Sequence, residues 1–210
     1  MDADLGLWVI ADGLGGHTDG HLASKIACES IHSVVKDGYG LSRAIQHAHQ
    51  AILQAIGSMS TPSNMGSTVV ALHRFGDECE VGWVGDSRAY HLHGERLAQL
   101  TTDHSHMADA ISRGEMTASS ARESQVSHVL SQSLGVSHLA EVEPEFTTCR
   151  ISPGDCLLLC SDGLSNAVAD GLLSEHLAER CSADATAEKL LSAALETGGY
   201  DNISLVVLRT

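Results

Sequence analysis

Three strongly apolar segments each border an aspartate, and this repeated arrangement constrains the fold more than any other feature of the sequence. The run at 7–11 ends at Asp12, the run at 156–160 ends near Asp162, and the run at 203–208 follows Asp201. Apolar runs of this length are typical of buried strands. If the first two strands run toward one sheet edge and the third runs away from it, the three aspartates meet at that edge.

Three carboxylates at one sheet edge repel one another unless a cation lies between them. An Asp-Gly pair after a strand is also ordinary turn chemistry, since Asp bonds its own backbone and Gly adopts positive φ. Each aspartate borders an apolar strand, however, and the third strand is reversed, so the joint pattern favours a metal site over three separate turns. All-oxygen ligands favour Mg²⁺ or Mn²⁺ over Zn²⁺.

The charge and the cysteines of the chain limit its partners and its compartment. The 210 residues include 12 basic and 27 acidic side chains, a formal charge of −15. Nucleic acid and anionic membranes are therefore not expected partners, because phosphate binding needs clustered Lys and Arg. The six cysteines form no C-x-x-C pair, and no apolar run has the length of a membrane span. We expect a cytoplasmic protein with reduced thiols.

The spacing of apolar residues predicts the helices and strands. Helical spacing indicates helices over about 19–36, 42–57, 170–181 and 184–196. Short β-rich runs at 67–74, 79–84, 88–92 and 96–100 predict an antiparallel meander, with later strands at about 141–150, 156–161 and 202–209. A strand, then helices, then strands favour an α+β layered sandwich in one domain, residues 1–210, over a regular βαβ repeat.

The segment 104–138 differs in composition from the strands around it. It is polar, contains nine serines, and shows only short helical patterns around 106–112 and 125–134. An insertion of this kind between strands is a candidate flap beside the site, and a solvated connection without a role is the alternative.

Seven short motifs follow one another along nearly the whole chain. They are Asp12-Gly-Leu-Gly-Gly-His17, Gly66-Ser-Thr68, Gly85-Asp-Ser-Arg88, Asp103-His-Ser105, Leu134-Gly135, Ser161-Asp-Gly163 and Asp201-Asn202. Their order and approximate spacing resemble those of the metal-dependent Ser/Thr protein phosphatases of the PPM or type 2C family, in its bacterial branch. The resemblance implies an antiparallel β-sandwich flanked by helices, with two divalent cations, Mg²⁺ or Mn²⁺, in a cleft at one end.

The resemblance also implies metal ligands. Asp12 would bridge both cations, the Gly13 carbonyl would bind the second, and Asp162 and Asp201 would hold the first. Asp103 matches an acidic residue associated with a third, weaker metal in such enzymes. The motifs at 66–68 and 86–88 resemble ones that are structural, shaping strands and turns behind the cleft.

The activity implied is hydrolysis of phosphoserine and phosphothreonine in proteins by a metal-activated water. The expected partners are a phosphorylated protein substrate and a Ser/Thr kinase or its target. His17, just past the glycine turn, is the candidate general acid that protonates the leaving oxygen, and a solvent-exposed loop histidine is the alternative.

Three departures from the family pattern matter. The usual first motif, Arg-x-x-Asn-Glu-Asp on an earlier strand, is missing, so we expect an exposed sheet edge and a loss of rate on the order of 10²–10³. Asn166 stands where some members carry an aspartate for the third metal, and Leu14 occupies the histidine position of an Asp-Gly-His motif. These departures keep an alternative open, a catalytically impaired regulatory or phosphoprotein-binding domain.

Two other patterns carry less weight. Gly13-x-Gly15 follows a strand as in a dinucleotide-binding fingerprint, but position 18 is Thr and no second strand ends in an acidic residue about 20 positions on. Three His-x-His pairs, at 47/49, 91/93 and 104/106, have no third ligand at a fixed spacing. We therefore expect these pairs to lie on exposed faces and not to bind metal.

Overall fold

The computed structural model describes residues 1–14, 17–59, 64–117, 129–136 and 141–210, with the backbone alone for His17 and Thr18. These residues form ten strands and six helices. The strands are β1 Leu7–Ile10, β2 Gly13–Leu14, β3 Gly66–Ser67, β4 Val69–Phe75, β5 Glu78–Val84, β6 Arg88–His93, β7 Arg96–Gln99, β8 Glu145–Arg150, β9 Cys156–Cys160 and β10 Leu205–Arg209. The helices are α1 His17–Lys36, α2 Leu41–Ser58, α3 His106–Ser112, α4 Asp162–Ser165, α5 Asp170–Ala178 and α6 Ala183–Glu196.

The strands form two four-stranded antiparallel sheets and a small ribbon. The first sheet has the order β1-β4-β5-β8, the second has the order β10-β9-β6-β7, and β2 pairs with β3. The predicted meander is wrong at one point, since β5 and β6 lie in different sheets. Gly85 has φ +106° directly after β5, and a left-handed turn there carries the chain from one sheet to the other.

The core fills three spaces between four layers, in the order helices, sheet, sheet, helices. Helices α1 and α2 cover the outer face of the first sheet, and α5 and α6 cover the outer face of the second. Along β4, Val69 and Ala71 face α1 and α2, whereas Val70 and Leu72 face the second sheet. Both faces of this strand are buried, which explains its continuous apolar run. The α+β sandwich flanked by helices is confirmed.

The helices lie within a few residues of their predicted positions. α1 and α2 bury the residues that the helical spacing selected, such as Ala27, Ile31 and Ile45. The later prediction of a helix to 181 is wrong at its end, since α5 stops at Ala178. Among the described residues, no helix combines the length and the apolar character needed to cross a membrane.

The registers place the ends of several strands in one row. In the second sheet Cys160 pairs with Arg88 on one side and with Leu205 on the other, so β9 ends where β6 and β10 begin. In the first sheet β1 is an edge strand, and β4 is its partner among the described strands. Asp12 leaves the end of β1 beside Thr68, whose amide N–H donates to the Asp12 carbonyl over 2.8 Å.

Candidate active site

Asp12 is held through its backbone by hydroxyl side chains. The Asp12 amide donates to Thr68 Oγ1 over 3.2 Å, and Ser67 Oγ donates to the Asp12 carbonyl over 3.0 Å. Thr68 Oγ1 also shares a buried 2.8 Å hydrogen bond with Ser87 Oγ. The Gly-Ser-Thr motif and the serine of the Gly-Asp-Ser-Arg motif, which are expected to shape strands and turns, therefore also position the backbone of Asp12.

Gly13 lies so close to α1 that no other residue fits. A Cβ on Gly13 would lie 1.9 Å from the carbonyl oxygen of Gly20. This contact brings the start of α1 against the strand end that carries Asp12. The ligand role of the Gly13 carbonyl stays a prediction. The catalytic role predicted for His17 concerns a side chain outside the described residues, since the structure places only its backbone, at the start of α1.

A serine joins the end of β9 to the start of β10 and brings two aspartates together. The Ser161 amide donates to the Ser204 carbonyl over 2.9 Å, and the Ser204 amide donates to Ser161 Oγ over 3.0 Å. Gly163 has no room for a side chain, because a Cβ there would lie 2.3 Å from a backbone carbonyl and 3.5 Å from the Asp201 Cβ. Asp162 and Asp201 thus lie side by side.

The three predicted aspartates interact electrostatically. Burial, followed by the negative charges of Asp162 and Asp201, raises the pKa of the Asp12 carboxyl to about 6. Among the ion pairs between described residues, none includes Asp12. The fold therefore brings Asp12, Asp162 and Asp201 to one place, as the strand directions predict, and leaves the Asp12 carboxylate without a basic partner.

Asp86 is a fourth carboxylate of this cluster, so the position behind the cleft that is predicted for the motif at 86–88 is wrong for it. Burial, then the charges of Asp162 and Asp103, raise the pKa of the Asp86 carboxyl to about 7. A signal for it was present in the sequence. Asp86 follows the apolar strand β5 through Gly85, which is the same position at a strand end that Asp12 and Asp162 occupy.

Asp103 binds a basic side chain of the same cleft. Arg88 donates to both of its carboxylate oxygens, from Nε over 2.9 Å and from Nη2 over 2.7 Å. Arg88 Nη1 also donates to the Tyr90 hydroxyl over 3.1 Å. The Arg88 side chain therefore reaches the cleft, although its motif predicts only a structural turn. The third-metal role of Asp103 stays a prediction, and a cation there would compete with Arg88 for the carboxylate.

A cavity of about 690 Å³ opens beside these residues and is lined by Asp86, Arg88, Asp103, Asp162 and Asp170, among others. Four carboxylates and one guanidinium give it a strongly acidic wall. Asn166 Nδ2 donates to Asp162 Oδ2 over 3.2 Å.

The segment 104–138 borders this cavity at its described parts. Ser105 and Met107, at the start of α3, line the cavity. Ser105 Oγ caps α3 by accepting from the Ala108 amide over 3.1 Å. At the other end, Leu134 exchanges two backbone hydrogen bonds with Ser67 of β3. Residues 118–128 and 137–138, which include 125–128 of the predicted helical pattern at 125–134, lie outside the described residues. Residues 129–134 are described and are not helical, so that part of the helical prediction is wrong, and the flap role stays a prediction.

Comparison with known proteins decides the family. A family model described as protein phosphatase 2C matches residues 2–197 of the chain. The chain belongs to the protein phosphatase 2C family. The serine/threonine phosphatase stp of Listeria monocytogenes is 31% identical over 210 residues, which cover 95% of this chain and 82% of that protein. The serine/threonine protein phosphatase PstP of Mycobacterium tuberculosis is 32% identical over 207 residues, 96% of this chain and 40% of PstP.

Solved structures of the family agree with the fold. The crystal structure of the Mycobacterium tuberculosis phosphatase PstP superposes with a TM-score of 0.88 at 31% identity, over 97% of this chain and 88% of that one. A structure of the PstP catalytic domain in complex with two manganese ions gives a TM-score of 0.84 at 31% identity, over 96% and 86%. The resemblance to PPM phosphatases that the seven motifs indicate is confirmed.

Proposed function

We propose that this chain is a metal-dependent phosphatase of phosphoserine and phosphothreonine in proteins, and that Asp12, Asp162 and Asp201 hold its two divalent cations with the Gly13 carbonyl. The observation that carries the proposal is the raised pKa of Asp12, whose causes after burial are the charges of the other two aspartates. The donors are all oxygens, which suit Mg²⁺ or Mn²⁺. The residues present therefore fit the cations that family membership implies.

When bound, the cations would activate a water molecule and stabilise negative charge on the phosphoryl oxygens. The protein supplies rigidity, since hydrogen bonds from Ser67 and Thr68 fix the backbone of Asp12 and Ser161 fixes the start of α4. Arg88 is the one basic side chain among the described residues that line the cavity. Its paired hydrogen bonds to Asp103 keep it from acting as a free phosphate clamp.

Three further roles belong to the same proposal. His17, at the start of α1, would protonate the leaving serine or threonine oxygen. Asp103 would contribute to a weak third cation site, made weaker by Asn166, because an amide is a neutral ligand. Segment 104–138 would act as a flap of a single phosphatase domain, residues 1–210. The contacts of Ser105 and Leu134 support the flap role, since they attach both ends of the segment beside the cleft.

The substrate would be a phosphorylated protein, and the opposing partner a Ser/Thr kinase or its target. The relatives with this fold are named serine/threonine phosphatases, which supports the substrate class. We also propose a cytoplasmic location, because all six cysteines are free thiols, including Cys79 and Cys149 on neighbouring strands. Neighbouring thiols stay reduced in a reducing compartment.

The test is Mn²⁺-dependent release of phosphate from a phosphothreonine peptide by the full chain. We expect activity that needs the metal and that falls by at least about 10²-fold in Asp162→Asn, as for loss of one stabilising group in a preorganised site. Asp77→Asn is the matched control, since Asp77 is exposed in the turn between β4 and β5. No release of phosphate by wild-type chain that binds Mn²⁺ would contradict the proposal.

A further inference from the structure

A second cluster of metal-ligating side chains lies outside the acidic cleft. His91 and His93 project from β6, and Asp155 stands directly before β9. His91 Nε2 is 2.9 Å from Asp155 Oδ2, and His93 Nδ1 is 2.8 Å from Asp155 Oδ1. One ligand atom from each of the three residues lies within 4.8 Å of the other two. The prediction that the three His-x-His pairs lie on exposed faces is wrong for His91, whose side chain is 12% exposed, and for His49 and His104, which are buried.

The sheet register explains why these residues meet although more than 60 positions separate them. Side chains two apart on a strand share a face, so His91 and His93 lie on one side of β6. The register pairs Leu92 with Cys156, which places Asp155 beside His93. Along β6, Arg88 of the cleft lies three residues before His91 and five before His93, which is about 10 Å and 16 Å at the rise of an extended strand. The cluster is thus separate from the acidic cleft.

We propose that His91, His93 and Asp155 form a second metal site that binds a Zn²⁺-type transition-metal ion. Two imidazoles and one carboxylate are the ligand set that zinc takes in sites with three protein ligands and an open fourth position. Hard cations such as Mg²⁺ and Ca²⁺ prefer oxygen ligands, so this cluster differs in chemistry from the acidic cleft. Ligand atoms 2.8–2.9 Å apart need only small side-chain rotations to surround an ion at about 2.0–2.2 Å.

The carboxylate at the centre of the cluster is held in position before any ion binds. Asp155 Oδ2 accepts from the Ser152 amide over 2.9 Å, and the Asp155 amide donates to the Ser152 carbonyl over 3.0 Å. The Asp155 carbonyl accepts from the Thr210 amide over 3.2 Å, which ties the turn to the end of β10. Ligands fixed by such outer contacts lose little freedom on binding, and this raises metal affinity.

The cluster is also accessible to an ion. The Asp155 side chain is 3% exposed, but the His93 side chain is 69% exposed and leaves the outer side open. A carboxylate accepts hydrogen bonds, so each imidazole donates an N–H to Asp155 in the structure. On metal binding each neutral ring would carry its proton on the other nitrogen, Nδ1 for His91 and Nε2 for His93. Replacing the hydrogen bonds to Asp155 with bonds to a metal ion therefore needs no change in the charge of either ring.

The test measures Zn²⁺ bound per metal-free chain by equilibrium dialysis, for wild type and for His93→Gln. The acidic cleft also takes divalent ions, so the comparison is repeated in Asp162→Asn. We expect His93→Gln to bind one Zn²⁺ fewer than its parent in both backgrounds, with affinity at this site reduced by more than about 100-fold. His32→Gln is the matched control, because His32 Nε2 lies 2.9 Å from Asp2 Oδ2 in a histidine–aspartate pair that has no third metal-ligating side chain among the described residues.

A second readout is thermal unfolding of Asp162→Asn with and without Zn²⁺. An ion that binds only the folded chain, at a free concentration of 100 times its Kd, should raise the unfolding midpoint by about 5–10 °C. His93→Gln in this background should abolish the rise, and His91→Gln provides a second variant in case one of them folds poorly. Equal Zn²⁺ stoichiometry in the parent and both histidine variants would overturn the proposal.

Discussion

The paired strands β6 and β9 carry a charged cluster at each end, and the two clusters are built on opposite principles. At the cleft end, burial and the charge of Asp162 raise the pKa values of Asp12 and Asp86, and the basic side chain there, Arg88, is bound to Asp103. At the far end a single carboxylate, Asp155, accepts hydrogen bonds from two histidines and a backbone amide. In the first cluster the basic side chain among the described residues is already paired with Asp103, whereas the carboxylate of the second cluster is satisfied by its own protein partners.

This difference indicates what each end is for. Buried carboxylates that repel one another reduce the stability of the folded chain, and the fold recovers that loss when a cation binds between them. The far cluster needs no ion to be stable, so any ion it binds must replace hydrogen bonds that already exist. We therefore expect the cleft to respond strongly to Mg²⁺ or Mn²⁺ and the far cluster to respond only to a metal that prefers imidazole.

The largest effect should follow from replacing the central carboxylate of the cleft. Asp12→Asn removes the group that interacts with both Asp162 and Asp201. We expect Mn²⁺-dependent phosphatase activity to fall by at least about 10²–10³-fold, because a preorganised charge is lost from the site. The measurement is kcat/KM on a phosphothreonine peptide. Asp184→Asn, at an exposed position in the first turn of α6, is the control. Equal losses of activity in both variants would show that the cleft carboxylate has no special role.

The next effect should come from the hydroxyl that positions Asp12. Thr68→Val leaves the Asp12 amide and the buried Ser87 hydroxyl without their partner, which should cost about 1–3 kcal/mol in the free energy of unfolding. Urea titration measures this cost. Thr148→Val on β8 is the control, since Thr148 is exposed, and it should change the value by less than about 0.5 kcal/mol.

A smaller effect should appear in the pH dependence of the metal-free chain. The pKa of Asp86 is about 7 in the folded state against an ordinary value of 3.8, so between these pH values the folded chain binds more protons than the unfolded chain. The contribution of Asp86 to stability is therefore complete below about pH 4 and is lost as the pH rises through about 7. Asp86→Asn removes this loss.

Urea titrations of the metal-free wild type and of Asp86→Asn at pH 4 to 8 measure the difference. From pH 4 to pH 8 the stability of Asp86→Asn should rise relative to that of the wild type. We expect the difference between the two free energies of unfolding to change by on the order of 1–2 kcal/mol, after allowance for solvent screening. A constant difference across the range would show that neither burial nor the neighbouring carboxylates raise the pKa of the Asp86 carboxyl. The same pair of curves in excess Mn²⁺ should lie closer together, because bound cations offset the repulsion.

The smallest effect concerns the amide beside Asp162. Asn166 donates one hydrogen bond, over 3.2 Å, to Asp162 Oδ2 at an exposed position. Asn166→Ala should therefore lower the free energy of unfolding by no more than about 1 kcal/mol, and it should weaken Mn²⁺ activation only slightly. Thermal unfolding and the Mn²⁺ dependence of activity check both. A loss of activity as large as that of Asp12→Asn would show that Asn166 has a more direct role in the site.

Much of this architecture follows from the sequence because it depends on local patterns. Helical spacing predicts α1 and α2, and an aspartate at the end of an apolar strand predicts that Asp12 and Asp162 share a sheet edge. The failures depend on tertiary pairing. Asp86 has the local signal of a strand end, but nothing local shows that the chain changes sheets at Gly85 and so brings Asp86 to the cleft. The register that brings Asp155 to His93 likewise joins strands far apart in the chain.

The most direct test of the account is the thermal unfolding midpoint of wild type and Asp12→Asn at pH 8, each without metal and with excess Mn²⁺. If the cleft holds repelling carboxylates for a cation, Mn²⁺ should raise the wild-type midpoint by several degrees, about 2–4 °C for each kcal/mol of binding energy. Metal-free Asp12→Asn should unfold at a higher temperature than the metal-free wild type, and Mn²⁺ should change its midpoint much less. Two results would contradict this: a wild-type midpoint that does not change with Mn²⁺, or a metal-free Asp12→Asn that unfolds at a lower temperature than the metal-free wild type.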